Sequence, residues 1–116
     1  MALTTHILDV ANGKPGNGIE IDLYLWKGEQ RVLLKSVVTN QDGRVDQPLL
    51  MTEELEAGHY EFCFYTGAYF RQSQSDQQAP PFLETIPVRF YIHNTAEHYH
   101  IPLIISPWSY QVYRGS

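Results

Sequence analysis

The chain has 116 residues, of which 43% are hydrophobic and 18% are charged, and its formal net charge is −5 at pH 7. This length fits one domain with a buried core and is too short for two. The hydrophobic content excludes a disordered chain, and the 8 lysines and arginines are scattered rather than clustered, which excludes a basic nucleic-acid-binding surface. We therefore expect one domain over residues 1–116 with no nucleic-acid partner.

No apolar stretch approaches the roughly 20 residues that a membrane-spanning helix needs. The segment from Met1 to His6 lacks the basic and apolar regions of a secretion signal. We therefore expect a soluble, unprocessed protein with no membrane partner, located in the cytoplasm, with a peroxisomal location left open.

Short runs rich in β-branched and aromatic residues recur between turn signals along the chain, and helical periodicity is nearly absent. This pattern predicts an all-β sandwich. Turns are predicted at 12–18, 27–29 and 40–43, which are rich in Gly, Asn and Asp. The predicted strands cover Thr4–Val10, Ile19–Trp26, Arg31–Thr39, a short piece near Val45, His59–Thr66, Ile86–Tyr91, Tyr99–Ser106 and Tyr110–Arg114.

One short helix is predicted at Gly67–Gln74, where the alternation of the strands breaks off. The stretch that follows, up to Pro81, is rich in Gln, Ser, Asp and Pro and is predicted to be an exposed loop. Cys63 is the single cysteine, so an intrachain disulfide and a thiolate metal cluster are both excluded. Its aromatic neighbours predict a buried, unreactive thiol.

Strand alternation places histidines of two predicted strands on faces that are otherwise apolar. His6 shares a face with Leu8 in the first predicted strand, and His98 and His100 share a face with Ile104 in a later one. A lone histidine in such a position is usually a structural residue. The spacing in the sequence does not by itself bring these histidines together.

The C-terminus departs from the usual composition of a chain end. Ends commonly fray and carry small polar residues, but here an apolar run from Ile101 to Ile105 and a turn at 106–110 lead to Tyr113, Arg114, Gly115 and Ser116. We therefore expect an ordered terminus with a role in function.

Three segments together, Leu3–Asp9, His98-Tyr99-His100 and Tyr113-Arg114-Gly115-Ser116, resemble the transthyretin-related proteins whose enzymatic members are 5-hydroxyisourate hydrolases. The resemblance spans nearly the whole chain. It implies an eight-stranded transthyretin-like β-sandwich with one short helix. It also implies a homotetramer, built as a dimer of dimers around a central channel that the histidine faces line.

The same resemblance implies hydrolysis of 5-hydroxyisourate to 2-oxo-4-hydroxy-4-carboxy-5-ureidoimidazoline in urate catabolism, with no cofactor and no metal. Gly16 and Gln111-Val112 depart from the usual family residues, but neither departure falls on an implied catalytic side chain. The hormone-carrier branch of the fold lacks the enzyme's residue set. That set falls here on catalytic His6, Arg44, His100 and Ser116, with His6, Arg44 and Tyr113 binding the substrate.

These residue types suit the chemistry. An imidazole with a pKa of about 6.5 takes a proton from water at neutral pH, and the planar guanidinium of Arg44 matches adjacent carbonyl oxygens and stabilises negative charge. Tyr113 donates a hydrogen bond or lines the pocket. Ser116 brings a hydroxyl and the terminal carboxylate, which would orient Arg114 or an imidazole.

Several alternatives stay open. His6, His98 and His100 would also suit a three-histidine zinc site, a small-molecule carrier would use the same channel without chemistry, and an adhesion module would use the sandwich alone. Which histidine accepts the proton and which carbonyl is attacked are also open. The remaining histidines, His59 and His93, and the acidic group at 53–56 are interpreted as ordinary surface residues.

Overall fold

Two four-stranded β-sheets share one apolar core in the computed structural model, which describes residues 2–73 and 80–116. One sheet has the strand order β2-β1-β7-β8 and the other has the order β4-β3-β5-β6. The strands are β1 Leu3–Asp9, β2 Lys14–Pro15, β3 Glu20–Lys27, β4 Gln30–Val38, β5 Gly58–Phe64, β6 Ile86–Ile92, β7 Tyr99–Ile105 and β8 Tyr110–Val112. A helix, α1, spans Thr66–Ser73, and a 3₁₀ turn spans Thr52–Glu54. The predicted β-sandwich with one short helix is confirmed.

The pairing of β1 with β7 is parallel, and the other strand pairs are antiparallel. Along β1 and β7, alternate residues are buried in the core, among them Leu3, Ile7, Ile101 and Leu103. The intervening residues, including His6 in β1, face outward. The alternation predicted from the sequence therefore holds for both strands that carry the candidate histidines.

The central strand β5 is buried on both faces, with Phe62 in the core and Glu61 on the outer face of the sheet. The Glu61 carboxylate accepts hydrogen bonds from Trp26 Nε1 at 3.0 Å, Arg31 at 2.7 Å and Arg89 at 3.2 Å. These bonds hold the pKa of Glu61 below its usual value, although burial acts to raise it. Cys63 is buried beside this cluster, as predicted, and burial raises the pKa of its thiol.

Helix α1 is joined to the first sheet by a buried carboxylate. The Tyr69 hydroxyl donates to Asp9 Oδ2 at 2.6 Å, and Asn12 donates to the same carboxylate through its backbone N–H and its side-chain amide. The helix begins one residue before the predicted start. The predicted last residue, Gln74, and most of the predicted loop up to Pro81 lie outside the described residues.

The short strand predicted near Val45 is wrong. The chain at Val45 is irregular, and Leu50 is the residue that bridges to Leu3 at the start of β1. Pro48 has no backbone N–H and cannot extend the ladder back toward Val45. The eighth strand is instead β2, which lies inside the segment predicted as a turn and pairs with the end of β1.

Two surface assignments hold. His59 and His93 are exposed, and the acidic residues Glu53, Glu54 and Glu56 are exposed as well. Among the helices in the described part of the chain, none has the length and apolar character needed to cross a membrane.

Candidate active site

Two neighbouring strands of one sheet carry the histidines that the sequence singles out. The parallel register of β1 and β7 pairs Thr4 with His100 and His6 with Pro102. His6 and His100 are thus two positions apart in the register and lie on the same half-buried outer face. Adjacent strands are about 4.8 Å apart, so the strand topology makes the two imidazoles neighbours.

The turn that presents Arg44 is held against β1 by a glycine. Gly43 has a φ of 73°, and its carbonyl oxygen accepts a 2.9 Å hydrogen bond from the backbone N–H of Ile7. A Cβ at this position would overlap the carbonyl oxygen of Ile7, and other L residues rarely adopt this φ. Glycine therefore allows Arg44 to lie beside the strand of His6.

Asn40 closes the same turn. Its backbone N–H donates to the Arg44 carbonyl oxygen at 2.7 Å, and its side-chain Oδ1 accepts from the backbone N–H groups of Asp42 at 2.9 Å and Arg44 at 3.2 Å. An asparagine that replaces a backbone acceptor in this way is a common turn device. A turn at Asn40 is predicted from the sequence, but nothing in the sequence connects this residue with the site.

The last residues of the chain fold back onto His100. Strand β8 ends at Val112 rather than at the predicted Arg114, but Gly115 rejoins the sheet through a bridge to His100, whose carbonyl oxygen accepts from the Gly115 N–H at 2.7 Å. A Cβ on Gly115 would lie 2.9 Å from Cδ2 of the His100 ring. The C-terminus is therefore packed on β7, and glycine permits the close approach.

Two adjoining clefts collect the residues selected from the sequence. One cleft of about 420 Å³ is lined by Thr4, Arg44, His98, His100 and Ser116, among others. The second cleft, of about 470 Å³, is lined by His6, His100, Tyr113 and Ser116 together with Leu8, Pro102 and Ile104. His100 and Ser116 line both clefts. The structure thus brings all five predicted site residues to one region of the surface.

The electrostatics of this region favour neutral imidazoles. Burial lowers the pKa of His6 below 6.5, and the nearby positive charge of Arg44 lowers it further, while contact with Asp42 opposes both effects. The pKa of His100 is lowered by burial first, then by Arg44, His98 and His6. Each imidazole is therefore mostly unprotonated at pH 7, which is the form that accepts a proton.

His98 lies beside His100 but differs from it in its surroundings. The two rings are nearly parallel, with centroids 6.4 Å apart, and Nδ1 of His98 is buried with no hydrogen-bond partner within the described residues. Across residues 2–73 and 80–116, no three His, Cys, Asp or Glu side chains are placed to hold a metal ion.

The Arg114 guanidinium is held by residues 97–99, at and just before the start of β7. It donates to Glu97 Oε1 at 2.9 Å and to the His98 carbonyl oxygen at 3.1 Å, and it lies over the Tyr99 ring at 4.3 Å. Of the two groups that the Ser116 carboxylate was expected to orient, Arg114 or an imidazole, Arg114 instead forms an ion pair with Glu97. Arg114 thus fastens the terminal segment to the start of β7.

Thr4 is a candidate site residue that was not predicted from the sequence. Its Oγ1 lies 2.8 Å from Nδ1 of His100, although the two residues are 96 positions apart in the chain. Alternation in β1 puts Thr4 on the face of His6, and this signal was available in the sequence. The partner of Thr4 was not, because it depends on the pairing of β1 with β7.

A family model described as the HIUase/Transthyretin family matches residues 3–115. The chain belongs to this family. A relative from Rhizobium meliloti named 5-hydroxyisourate hydrolase 2 is 48% identical over 114 residues, which cover 98% of this chain and 95% of that relative.

Two solved structures show that proteins with different functions share this fold. An (S)-allantoin synthase has a TM-score of 0.88 at 43% identity and covers 99% of this chain, which spans 43% of the length of that enzyme. A sea bream transthyretin in complex with thyroxine has a TM-score of 0.87 at 26% identity, covering 99% of this chain and 95% of its own. An enzyme and a thyroxine complex superpose on this chain nearly equally well. The residues in the clefts, rather than the fold, must therefore distinguish the two functions.

Proposed function

We propose that this protein hydrolyses 5-hydroxyisourate to 2-oxo-4-hydroxy-4-carboxy-5-ureidoimidazoline in the breakdown of urate. The observation that carries the proposal is the grouping of His6, Arg44 and His100 at two adjoining clefts, with both imidazoles biased toward the neutral form. The 48% identity to a protein named as this hydrolase supports the same conclusion.

The reaction is the addition of water to a ring carbonyl followed by cleavage of the adjacent carbon–nitrogen bond. A neutral imidazole takes a proton from the water while the water oxygen attacks the carbonyl carbon. The resulting imidazolium then gives that proton to the departing ring nitrogen. The guanidinium of Arg44 stabilises the negative charge that develops on the carbonyl oxygen. Every proton is accounted for by water and an imidazole, so the step needs no cofactor.

Tyr113 and Ser116 complete the substrate site in this proposal. Tyr113 is half exposed in the second cleft, where its ring and hydroxyl meet a flat polar heterocycle, and Ser116 borders both clefts. These contacts orient the substrate relative to His100. Orientation of the reacting groups supplies a large share of the rate in such reactions.

The active assembly is proposed to be a homotetramer, a dimer of dimers in which the outer face of β1 and β7 lines a central channel. The support is the apolar surroundings of the two histidines, where Leu8 is 39% exposed and Pro102 and Ile104 are only half buried. Apolar groups of this kind, left open beside a functional site, are typical of an interface. A two-fold interface would then repeat each contact and build each opening from more than one subunit.

The decisive experiment follows the absorbance of freshly generated 5-hydroxyisourate with and without the protein. The enzyme accelerates its decay catalytically, whereas a carrier binds it in proportion to protein and shows no turnover. His6→Ala and His100→Ala should each lower kcat by roughly 10² to 10⁴. His59→Ala, which removes an exposed histidine on the other sheet, should leave the rate unchanged.

A second measurement addresses the zinc alternative. The rate should survive dialysis against a strong chelator, because water, an imidazole and a guanidinium suffice for the chemistry. Loss of activity that added zinc restores would contradict the proposed cofactor-free mechanism.

A further inference from the structure

The contact between Thr4 and His100 fixes one of the two ring nitrogens of His100. Thr4 and His100 are register partners on β1 and β7, both are half buried, and Oγ1 lies 2.8 Å from Nδ1. Within residues 2–73 and 80–116, no hydrogen bond engages Nε2 of His100. Nε2 is therefore the nitrogen available to a molecule in the clefts that His100 lines.

The direction of this hydrogen bond decides what His100 can do. A neutral imidazole carries one N–H, and a threonine hydroxyl can either donate or accept. If the hydroxyl donates to Nδ1, then Nε2 carries the proton and cannot accept one. If the hydroxyl accepts from Nδ1–H, then Nε2 presents a lone pair, as a general base requires.

Arg44 favours the second arrangement. Its guanidinium lines the same cleft as His100 and carries a permanent positive charge. The partial negative charge of a lone pair on Nε2 is attracted to this cation, whereas an N–H on Nε2 would be repelled. The Thr4 hydroxyl can accept from Nδ1–H both before and after Nε2 takes up a proton, because an imidazolium also donates through Nδ1–H.

From this geometry we infer that Thr4 is a positioning residue that accepts a hydrogen bond from Nδ1–H of His100 and so holds the Nε2 lone pair toward the clefts. The inference rests on the proposed function, in which an imidazole takes a proton from water. Thr4 acts only through His100, and the arrangement is set before substrate binds, so the bond needs no reorganisation during the reaction.

Thr4→Val and Thr4→Ser form the matched test pair, because valine keeps the shape of the side chain without the hydroxyl and serine keeps the hydroxyl without the methyl. The tautomer of His100 is read from long-range ¹H–¹⁵N correlation spectra of the protein without substrate. We expect Nδ1–H in the wild type and in Thr4→Ser, and a shift toward Nε2–H in Thr4→Val. Circular dichroism confirms that each variant is folded.

Kinetics supply the second readout. Thr4→Val should lower kcat about tenfold, the rate equivalent of one ordinary hydrogen bond, with KM little changed. Its acidic limb of kcat/KM should move to lower pH, because the imidazolium loses an acceptor while Arg44, His98 and His6 still face the ring. Thr4→Ser should stay close to the wild type in both measurements.

Three results would overturn the inference: an Nε2–H tautomer in the wild type, wild-type kinetics in Thr4→Val, or equal losses in Thr4→Val and Thr4→Ser. Failure of the proposed function is a separate result, since the spectra need no substrate. A wild type that does not hydrolyse 5-hydroxyisourate but shows a tautomer dependent on Thr4 would refute the hydrolase and leave the positioning of His100 standing.

Discussion

At the scale of single residues, the proposed site contains two imidazoles whose pKa values are lowered by burial and by a nearby cation. Half-burial and the charge of Arg44 both lower the pKa of His6 and of His100, and the contacts of His6 with Asp42 only partly offset this. A group that must accept a proton benefits from this shift, because its basic form then predominates across neutral pH.

The pH dependence of the reaction follows from these shifts. The acidic limb of kcat/KM should fall at a pH below 6.5, because this quantity reports the free enzyme's essential base. The stability that depends on these two imidazoles staying neutral should be fully present above pH 6.5. It should be lost as the pH drops from 6.5 through the folded pKa values, since the unfolded chain binds more protons there. Rate profiles and denaturant titrations at several pH values test both statements, and a limb above pH 6.5 would contradict the assignment.

Arg44→Lys tests whether the planar guanidinium is needed. We expect a loss of about 10² in kcat, the usual effect of removing one donor to a developing oxyanion, because an ammonium cannot provide two parallel donors. Arg71→Lys is the matched control, since Arg71 pairs with Glu84 outside both clefts. Wild-type kinetics in Arg44→Lys would indicate that Arg44 is an ordinary solvated turn residue.

At the scale of elements, two irregular segments are docked onto regular strands, and a glycine allows each docking. Gly43 sets the turn of Arg44 on β1, and Gly115 sets the C-terminus on β7. The Gly43 carbonyl oxygen accepts from the Ile7 N–H of β1, and the Gly115 N–H donates to the His100 carbonyl oxygen of β7. The strands therefore supply rigid positions for residues that lie outside them.

Gly43→Ala should damage the site more than a typical glycine substitution. The new Cβ would meet the Ile7 carbonyl oxygen in addition to the unfavourable φ, so we expect a loss of about 1–3 kcal/mol in unfolding free energy and a clear fall in kcat. Gly13→Ala is the control, because Gly13 has a similar φ of 67° and, among the described residues, no surrounding atom lies within 4 Å of where its Cβ would be. Equal effects on kcat in the two variants would refute the docking role.

Deletion of Arg114 to Ser116 tests the terminal segment. The fold should persist, since these residues follow β8, but turnover should nearly vanish and substrate should bind more weakly. Glu97→Ala gives an intermediate case: it removes the ion pair of Arg114 and keeps the hydrogen bond between Gly115 and His100. Unchanged kinetics after the deletion would remove the terminus from the site.

At the scale of the whole molecule, a single chain leaves the histidine face open, with apolar groups around both clefts. The same fold superposes on an enzyme and on a thyroxine complex with nearly equal scores. The identity of the side chains on this face, rather than the sandwich, must therefore set the activity.

The proposed tetramer gives the last prediction. Sedimentation should report four chains, and Leu8→Glu should dissociate the assembly and lower activity, because it places a charge on the outer face of β1. Val38→Glu introduces the same charge at a residue that is 56% exposed on the other sheet and serves as the control. A fully active monomer at assay concentration would contradict the shared channel.

The sequence by itself determined the local structure and the residue set. Alternation places His6 and His100 outward, and turn residues mark the ends of strands. Both features are readable because they depend on neighbours within a few residues. The set of His6, Arg44, His100, Tyr113 and Ser116 is implied by the resemblance of three segments to a known family. The strand predicted near Val45 is wrong, because local propensity does not decide β pairing there. The residue that bridges to β1 is Leu50, and Pro48 cannot extend the pairing toward Val45.

Only the tertiary structure decided which groups meet. Thr4 and His100 are 96 residues apart and become partners because β1 and β7 pair in parallel at one register. The same pairing makes His6 a neighbour of His100, and the bridge from Gly115 to His100 brings the terminus to both clefts while Arg114 turns to Glu97. Contacts of this kind follow from long-range packing of whole strands, and no spacing within the sequence encodes them.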